Sequence, residues 1–371
     1  MKQTYLLGVT FLFSSFCCQV KDIEKEPLFL GGDLSYVNEM EDCGGTYQSN
    51  GMKVDPYKLF KDKGANVVRV RLWHSPDWTK YSTFEDVKKS IRRAKEQNMQ
   101  VLLDFHYSDT WADPAHQTIP KAWENIKDTK ILGDTVYAYT FNILNKLANA
   151  NLTPEFVQVG NEINSEVMQY TKDAAKTINW QRNVALLNRG IEAVDKISAI
   201  RGQKIQTMLH IAQPDEAYNW FENAKKNGII NYDWIGLSYY PKWSKFNLLG
   251  LTNEVKRLKA DFNKRVMIVE TGYPYSPKNF DTANNVLDGE GKISGYDYTP
   301  DGQLKFMIDL TKTVVKGGGE GIIYWEPAWI STNCNTAWGK GSHWDNAIFF
   351  DAERNNEALP VFDFFNQKLY K

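Results

Sequence analysis

The chain has 371 residues, 42% of them hydrophobic, enough to bury a sizeable core and to close one large domain such as a barrel with insertions. Lys and Arg number 44 against 45 Asp and Glu, a formal charge of -1, which excludes a field that would draw nucleic acid, an anionic membrane or a polyanionic substrate. Aromatic residues make up 13%, with 12 Trp and 19 Tyr, more than a core usually requires and suited to presenting rings to the flat apolar face of a sugar, although any one Trp taken alone reads as packing.

The chain opens with an export signal over 1–18: Lys2, an apolar run over 5–16 and the small pair Ser14-Ser15 near its end. That run is too short to span a bilayer as a helix, and no later stretch reaches about 18 uninterrupted apolar residues. Cys17-Cys18 sits where bacterial lipoprotein signals place the cysteine that receives lipid, with 19–27 as a polar tether. Phe16 or Cys17 before the cleavage point departs from the usual small residue, so loss of both cysteines with a cleaved signal is the alternative. Either way the mature protein is expected outside the cytoplasm, as an extracellular protein, a cell-surface lipoprotein or a periplasmic one.

From residue 28 onward, β-rich apolar runs alternate eight times with helical periodicity. Strands are expected at 28–35, 66–73, 100–106, 156–161, 204–211, 233–239, 265–270 and 320–326. Helices are expected near 54–63, 85–97, 129–149, 180–199, 214–227, 250–264, 301–316 and 358–370. This is the pattern of an α/β protein, a single (β/α)8 barrel over 28–371, with no repeat or linker to mark a second domain. Helix-to-strand links are short, whereas the links after the first, third, seventh and eighth strands are long. In a barrel those loops share the C-terminal rim, where active sites are built.

Two apolar strands end on glutamate: 156–159 runs into Gly160-Asn161-Glu162, and 266–269 into Glu270-Thr271-Gly272-Tyr273-Pro274. A carboxylate there is costly unless hydrogen-bonded or shifted in pKa. Cleavage of a glycosidic bond with retention needs two carboxyl groups about 5 Å apart, one protonated and one ionised. Arg69 and Arg71 share a strand face by period two, and a guanidinium beside Glu270 would hold it ionised. Asp104, His106 and Tyr107, with Asp109, Trp111 and Asp113, form a dense polar and aromatic cluster after the third strand. Tyr239-Tyr240 and Trp325 to Trp329 end the sixth and eighth strands, offering hydroxyls to the nucleophile and rings for stacking. Glu326 competes for a catalytic role, but Pro327 behind it favours a structural one.

These residues resemble the arabinogalactan endo-β-1,4-galactanases, glycoside hydrolase family 53. The resemblance spans nearly the whole mature chain and rests on Gly31-Gly32-Asp33-Leu34-Ser35, on Arg69-Val70-Arg71-Leu72-Trp73, and on the long run from Asp104 to Pro114. Gly160-Asn161-Glu162, Ser238-Tyr239-Tyr240-Pro241, Glu270 to Pro274 and Tyr324 to Trp329 complete it. It implies Glu162 as acid/base, Glu270 as nucleophile, Asn161 as holder of the sugar 2-hydroxyl, and internal cleavage of β-1,4-galactan. The binding residues are then Arg69, Arg71, Asp104, His106, Asp109, Trp111, Asn161, Tyr239, Tyr240, Trp325 and Trp329. The alternatives are the same chemistry on mannan or xylan, or a carbohydrate-binding barrel without catalysis. No cofactor is expected for the chemistry, since the five His lack metal-ligand spacing and no phosphate-cradling loop precedes a helix. Polysaccharide is the only partner implied besides the lipid anchor.

Two rim features follow. Cys43 and Cys334, in the loops after the first and eighth strands, are brought together by barrel closure and could form a disulfide, or else stay as separate buried thiols. The loops after strands seven and eight have too little apolar content to order themselves, and some bacterial members of the resembled family carry a calcium ion there. The matching donors are Asp281, Asn285, Ser342 and Asp345, with Ala283 where a His ligand would be expected; in the alternative the two Asp side chains cap turns or pair with Lys.

Overall fold

The computed structural model describes Met1 and residues 27–371 apart from 172–176, 230 and 337; the expected leader and most of the tether, with Cys17 and Cys18, lie outside the described residues. Eight parallel strands close a barrel: β1 (Phe29–Asp33), β2 (Val67–Leu72), β3 (Gln100–Phe105), β4 (Phe156–Val159), β5 (Gln206–Ala212), β6 (Trp234–Tyr239), β7 (Arg265–Thr271) and β8 (Gly321–Tyr324). Each pairs with its sequence neighbours, and β1 pairs with β8 to complete the ring. The strand VVRVRL shows why such a run settles here: β-branched residues suit the pleat, and alternation divides them between two environments. Val68, Val70 and Leu72 join the outer core beneath the helices, while Val67 joins the barrel floor.

That floor is a plug of Phe29, Val67, Leu102, Phe156, Met208, Trp234, Met267, Val269 and Ile323, with Phe29 edge-on to Phe156 at 5.1 Å and to Trp234 at 5.6 Å. Each large apolar side chain so buried stabilises the fold by roughly 1.5–3 kcal/mol. The next inward positions hold Arg69, Asp104, Gln158 and His210, all buried. The change from apolar floor to polar mouth occurs within one strand repeat.

The surrounding helices are α2 (Pro56–Asp62), α3 (Phe84–Glu96), α4 (Thr129–Asn149), α5 (Trp180–Arg201), α6 (Pro214–Lys226), α7 (Leu248–Phe262) and α8 (Pro300–Lys316), following a short α1 (Val37–Asp42) in the first rim loop. Their starts are chemically marked. Asp55, Asp128, Asn179, Asn247 and Thr299 accept from backbone amides as N-caps, and Pro56, Pro214 and Pro300 occupy first-turn positions where no amide donor is needed.

The C-terminal helix expected over 358–370 is instead a pair of 3-10 turns, Pro360–Phe365 and Gln367–Tyr370. Val361, Phe362, Phe364 and Phe365 are all buried, which a single helical stripe would not achieve in so short a segment. A small sheet also forms on the rim: the hairpin Tyr47–Ser49 and Met52–Val54 turns through Asn50-Gly51, both at positive φ, and pairs with Glu357–Ala358, which pairs in turn with Phe350–Asp351. The described residues 160–171 and 177–179 after β4 add further rim structure besides the four expected loops.

Cys43 and Cys334 form a disulfide, so the first and last rim loops are covalently joined across a sequence separation of 291. In the chain-entropy model a closure of that length stabilises the folded state by up to about 6 kcal/mol, against about 2–4 kcal/mol for a typical disulfide. Reduction, or Cys43→Ser, should therefore lower the melting temperature by several degrees, and alkylation should label both cysteines only after reduction; equal melting curves with and without reductant would contradict this.

Candidate active site

The mouth of the barrel is built by local departures from regular strand geometry. After β4 the chain turns through Gly160, at φ +86°, where a Cβ would lie 2.6 Å from Ile163 Cγ2, and then places Glu162 itself at φ +43°. A non-glycine residue in that region is strained by about 1 kcal/mol or more, and the surrounding structure has to impose it. On β7 the pairing with β6 slips by one residue: Leu237 faces Ile268, but Ser238 faces Glu270. Without this bulge Glu270, next to the inward-facing Val269, would point outward. The extra residue re-aims its carboxyl into the mouth.

Arg69 ties the site together. Its guanidinium lies 2.9 Å from Asp33 Oδ2, 2.8 Å from Asp104 Oδ2, 2.8 Å from Glu270 Oε1 and 2.7 Å from Asn161 Oδ1, all with the arginine 1% exposed. The Tyr240 hydroxyl donates to Glu270 Oε2 at 3.2 Å. Ser238 Oγ is 2.5 Å from Glu162 Oε1 and 2.9 Å from His210 Nε2. Oxygens of Glu162 and Glu270 and a ring nitrogen of His210 all lie within 4.8 Å of one another. Both nitrogens of that imidazole are engaged by protein groups, Ser238 on one side and Asn161 on the other, so it has no lone pair to spare for a metal.

The two glutamates sit in different fields. Burial pushes Glu162 well above the usual carboxylate range, and the charges of Glu270 and Asp113 push it further, opposed by Ser238 and Arg69. Burial also pushes Glu270 up, to about 7, with Asp104 and Asp33 adding to the rise, but the adjacent Arg69 and the Tyr240 hydroxyl pull it down. Glu270 therefore ionises first, and its charge holds the proton on Glu162. His210 is kept neutral by burial, Arg69 and His106.

Above the pair opens a cleft of about 420 Å³, lined by the rings of Trp111, Trp325, Trp338, Trp344, Tyr240 and Trp243. A larger depression of about 610 Å³ between α4 and α5 has no aromatic lining and only one carboxylate, Asp134.

Of the expected site residues, Arg69, Asn161, Glu162, Tyr240 and Glu270 converge, with Trp111 and Trp325 in the wall. Asp104 and His106 lie beneath them: His106 Nε2 meets Asp104 at 3.0 Å and its Nδ1 accepts from the Ala112 amide. Four expected binding contacts are corrected. Arg71 pairs with buried Glu326 and lies against the rings of Tyr36 and Trp111, so it braces the wall rather than Glu270. Tyr239 points away from the mouth by strand alternation, its hydroxyl donating to Phe246 O. Trp329 is buried and stacked on Tyr36 at 4.1 Å. Asp109 accepts from the Ser75 and Lys121 amides and ties its own loop to the one after β2. Ser238, His210, Gln158, Trp243 and Trp338 are site residues that the sequence reading missed; the inward parity of Ser238 opposite Tyr239 was the available signal.

On the rim, Asp281 and Asp345 do meet, both within reach of Ser331 Oγ, at 2.6 and 3.0 Å. Asn285 Nδ2 donates to Asp345 at 2.8 Å. Ser342 is corrected: its hydroxyl donates to Trp329 O, and only its amide reaches Asp281.

Arg69→Met would leave three buried carboxylates without their cation, a loss of about 3–5 kcal/mol. Glu270, raised by burial to about 7 even with Arg69 pulling it down, rises further without the guanidinium, so its protonation favours the folded state. The destabilisation should thus be small near pH 5 and grow toward pH 8. Urea unfolding at both pH values measures it; a loss independent of pH would contradict the assignment.

The description "Glycosyl hydrolase family 53" belongs to the family model that matches residues 29–365. The arabinogalactan endo-β-1,4-galactanase of Cellvibrio japonicus is 52% identical over 361 residues, covering 97% of this chain and 96% of that protein. The solved GH53 catalytic domain of Ignisphaera aggregans superposes with a TM-score of 0.83 at 30% identity, over 93% of this chain and 97% of that one. A structure of fungal β-1,4-galactanases gives 0.78 at 29% identity, over 92% and 99%. With its barrel, its paired strand-end glutamates and a match across almost all of its described length, the chain belongs to glycosyl hydrolase family 53.

Proposed function

We propose that the protein is a retaining endo-β-1,4-galactanase, with Glu270 as nucleophile and Glu162 as acid and then base. The observation that carries this reading is the close approach of the two carboxyls, within 4.8 Å, in opposed electrostatic settings. Separations of about 5–5.5 Å suit direct attack by one carboxylate, whereas inversion needs room for a water. Arg69 and Tyr240 hold Glu270 ionised for attack on the anomeric carbon. Glu162, kept protonated, donates to the leaving oxygen and then deprotonates the water that releases the glycosyl group. Asn161 Nδ2 gives one hydrogen to Ala112 O, at 2.7 Å, and its other is assigned to the sugar 2-hydroxyl. The cleft walls offer rings and no cationic side chain, which suits a neutral polysaccharide. The galactan assignment is supported by the name of the Cellvibrio japonicus relative.

Linear galactan should give mid-length oligosaccharides early, with the β-anomer formed first by proton NMR, and should be cut faster than mannan or xylan. The activity profile should be bell-shaped, rising as Glu270 ionises and falling as Glu162 does. Glu270→Gln should lose turnover by about 10⁴-fold or more, and Glu162→Ala should be rescued by azide on an activated aryl glycoside. Steady release of monomer, or near-normal turnover by Glu162→Gln, would overturn the assignment.

We also propose a structural calcium ion at the rim, held by Asp281, Asp345 and Asn285. The residues fit: Asp281 raises its neighbour Asp345, which burial and that charge bring to about 6, and Asn285 Oδ1 is buried with no hydrogen-bond partner. Ala283 stands where the resembled family's bacterial members would supply His. A hard cation would relieve both the repulsion and the unpaired carbonyl. Excess EDTA should lower the melting temperature, and elemental analysis should find about one calcium per chain; an unchanged melting temperature with no bound metal would remove the proposal.

A further inference from the structure

In the double displacement proposed above, on which this inference rests, Glu162 changes charge twice per cycle. A half-buried carboxyl that does so needs a partner able to accept a hydrogen bond in one half-reaction and donate one in the other. A hydroxyl can do both, while an amide N–H or a guanidinium only donates. Ser238, buried on β6, is the hydroxyl at the right place, with Glu162 Oε1 at 2.5 Å and His210 Nε2 at 2.9 Å.

The tautomer of His210 can be read from its other nitrogen. Nδ1 lies 2.9 Å from Asn161 Oδ1, an oxygen that also accepts from Arg69 at 2.7 Å. Gln158 Nε2 approaches Nδ1 at 3.1 Å, but it lies closer to Asp104, at 2.6 Å, and to Asn161 Oδ1, at 3.0 Å. The Glu162 amide, at 3.4 Å, is the weakest contact. Nδ1 thus carries the proton, and Nε2 turns a lone pair toward Ser238.

We propose that Ser238 is a two-way hydrogen-bond switch behind Glu162, held in position by a neutral, Nδ1-protonated His210. Before substrate docks, protonated Glu162 donates to Ser238 Oγ, and Ser238 donates to His210 Nε2. When the leaving oxygen arrives the carboxyl proton turns to it, and the Ser238 hydroxyl rotates to donate to the carboxyl oxygen, which it then holds as the proton leaves and the carboxylate forms. The proton that returns to Glu162 comes from the attacking water, so none passes through Ser238 or His210, and both are positioning residues.

The other groups facing Glu162 cannot reverse in this way. Asp113 from the loop after β3 opposes its ionisation throughout and Arg69 from β2 favours it throughout, while Glu270 from β7 opposes it only until esterification removes its charge and at no stage offers it a hydrogen-bond donor. Tyr240, just past the end of β6, gives its hydrogen to Glu270. Removing the Ser238 hydroxyl therefore harms the ionised state of Glu162 more than the protonated one, and with it the second half-reaction, in which Glu162 acts as base.

Ser238→Ala and Glu162→Ala should be compared on an aryl β-galactobioside with a good leaving group. For Ser238→Ala we expect a pre-steady-state burst, a steady-state kcat lower by on the order of tenfold or more, and a lower KM because the glycosyl-enzyme accumulates. Azide should restore its turnover, and the alkaline limb of kcat/KM should move up by roughly one pH unit. An unaltered pH profile with unchanged KM in folded Ser238→Ala would overturn the switch. Absence of azide rescue in Glu162→Ala would instead overturn the acid/base assignment beneath it. Should Ser238→Ala fail to fold, ¹⁵N NMR of the wild-type imidazole decides: a neutral ring protonated on Nδ1 supports the switch, and an Nε2–H or doubly protonated ring overturns it.

Discussion

One guanidinium, that of Arg69, compensates three carboxylates inside the barrel mouth, and the geometry of the site depends on it. Asp33 on β1, Asp104 on β3 and Glu270 on β7 converge on it, together with Asn161 after β4. Buried charge is tolerated only where it is paired and hydrogen-bonded, so the strands carrying these groups are held at the stagger that lets one planar fork reach them all. The cation does not fully neutralise its neighbours. Burial raises both glutamates, Glu270 to about 7 and Glu162 well above the usual carboxylate range, and the neighbouring carboxylates add to the rise that Arg69 opposes. Packing and proton affinity thus share one physical cause.

Asymmetry between the glutamates arises from what each strand end puts nearby. Both glutamates feel Arg69 and two other carboxylates, but Glu270 is in direct contact with the guanidinium and a phenol, whereas Glu162 has a serine hydroxyl and faces the charge of Glu270. Aromatic walls keep water from screening these differences, so small displacements of either carboxyl would change its protonation. The rim is correspondingly over-determined: Arg71 pairs with Glu326 between the rings of Tyr36 and Trp111, the disulfide joins the first and last loops, and a small sheet ties the Asn50-Gly51 hairpin to the chain's last strand. Such bracing can hold Glu162 and Glu326 at positive φ, +43° and +45°.

Much of the fold is legible because its signals are local. Helix starts carry Asp, Asn or Thr caps and first-turn prolines, and alternation in Val67–Leu72 already separates barrel floor from outer core. The Asn50-Gly51 hairpin carries an equally local signal but was not among the expected elements. The C-terminal aromatic run is harder, because Val361, Phe362, Phe364 and Phe365 bury on too many sides for one helical stripe. Arg69 and Arg71 illustrate the limit at the site. Both face inward, but which of them reaches Glu270 depends on strand stagger, which no single strand encodes.

By itself the sequence determined the eight-fold alternation, the two strand-end glutamates and the wealth of tryptophan on the rim, because hydrophobic period and residue chemistry are properties of short segments. Only the tertiary structure decided the partners: that the slip between β6 and β7 aims Glu270 inward, that Ser238 rather than Tyr239 faces Glu162, and that Asp109 and Trp329 tie neighbouring rim loops together. Register and ring closure set which charges meet, and they are settled jointly by strands distant in the chain.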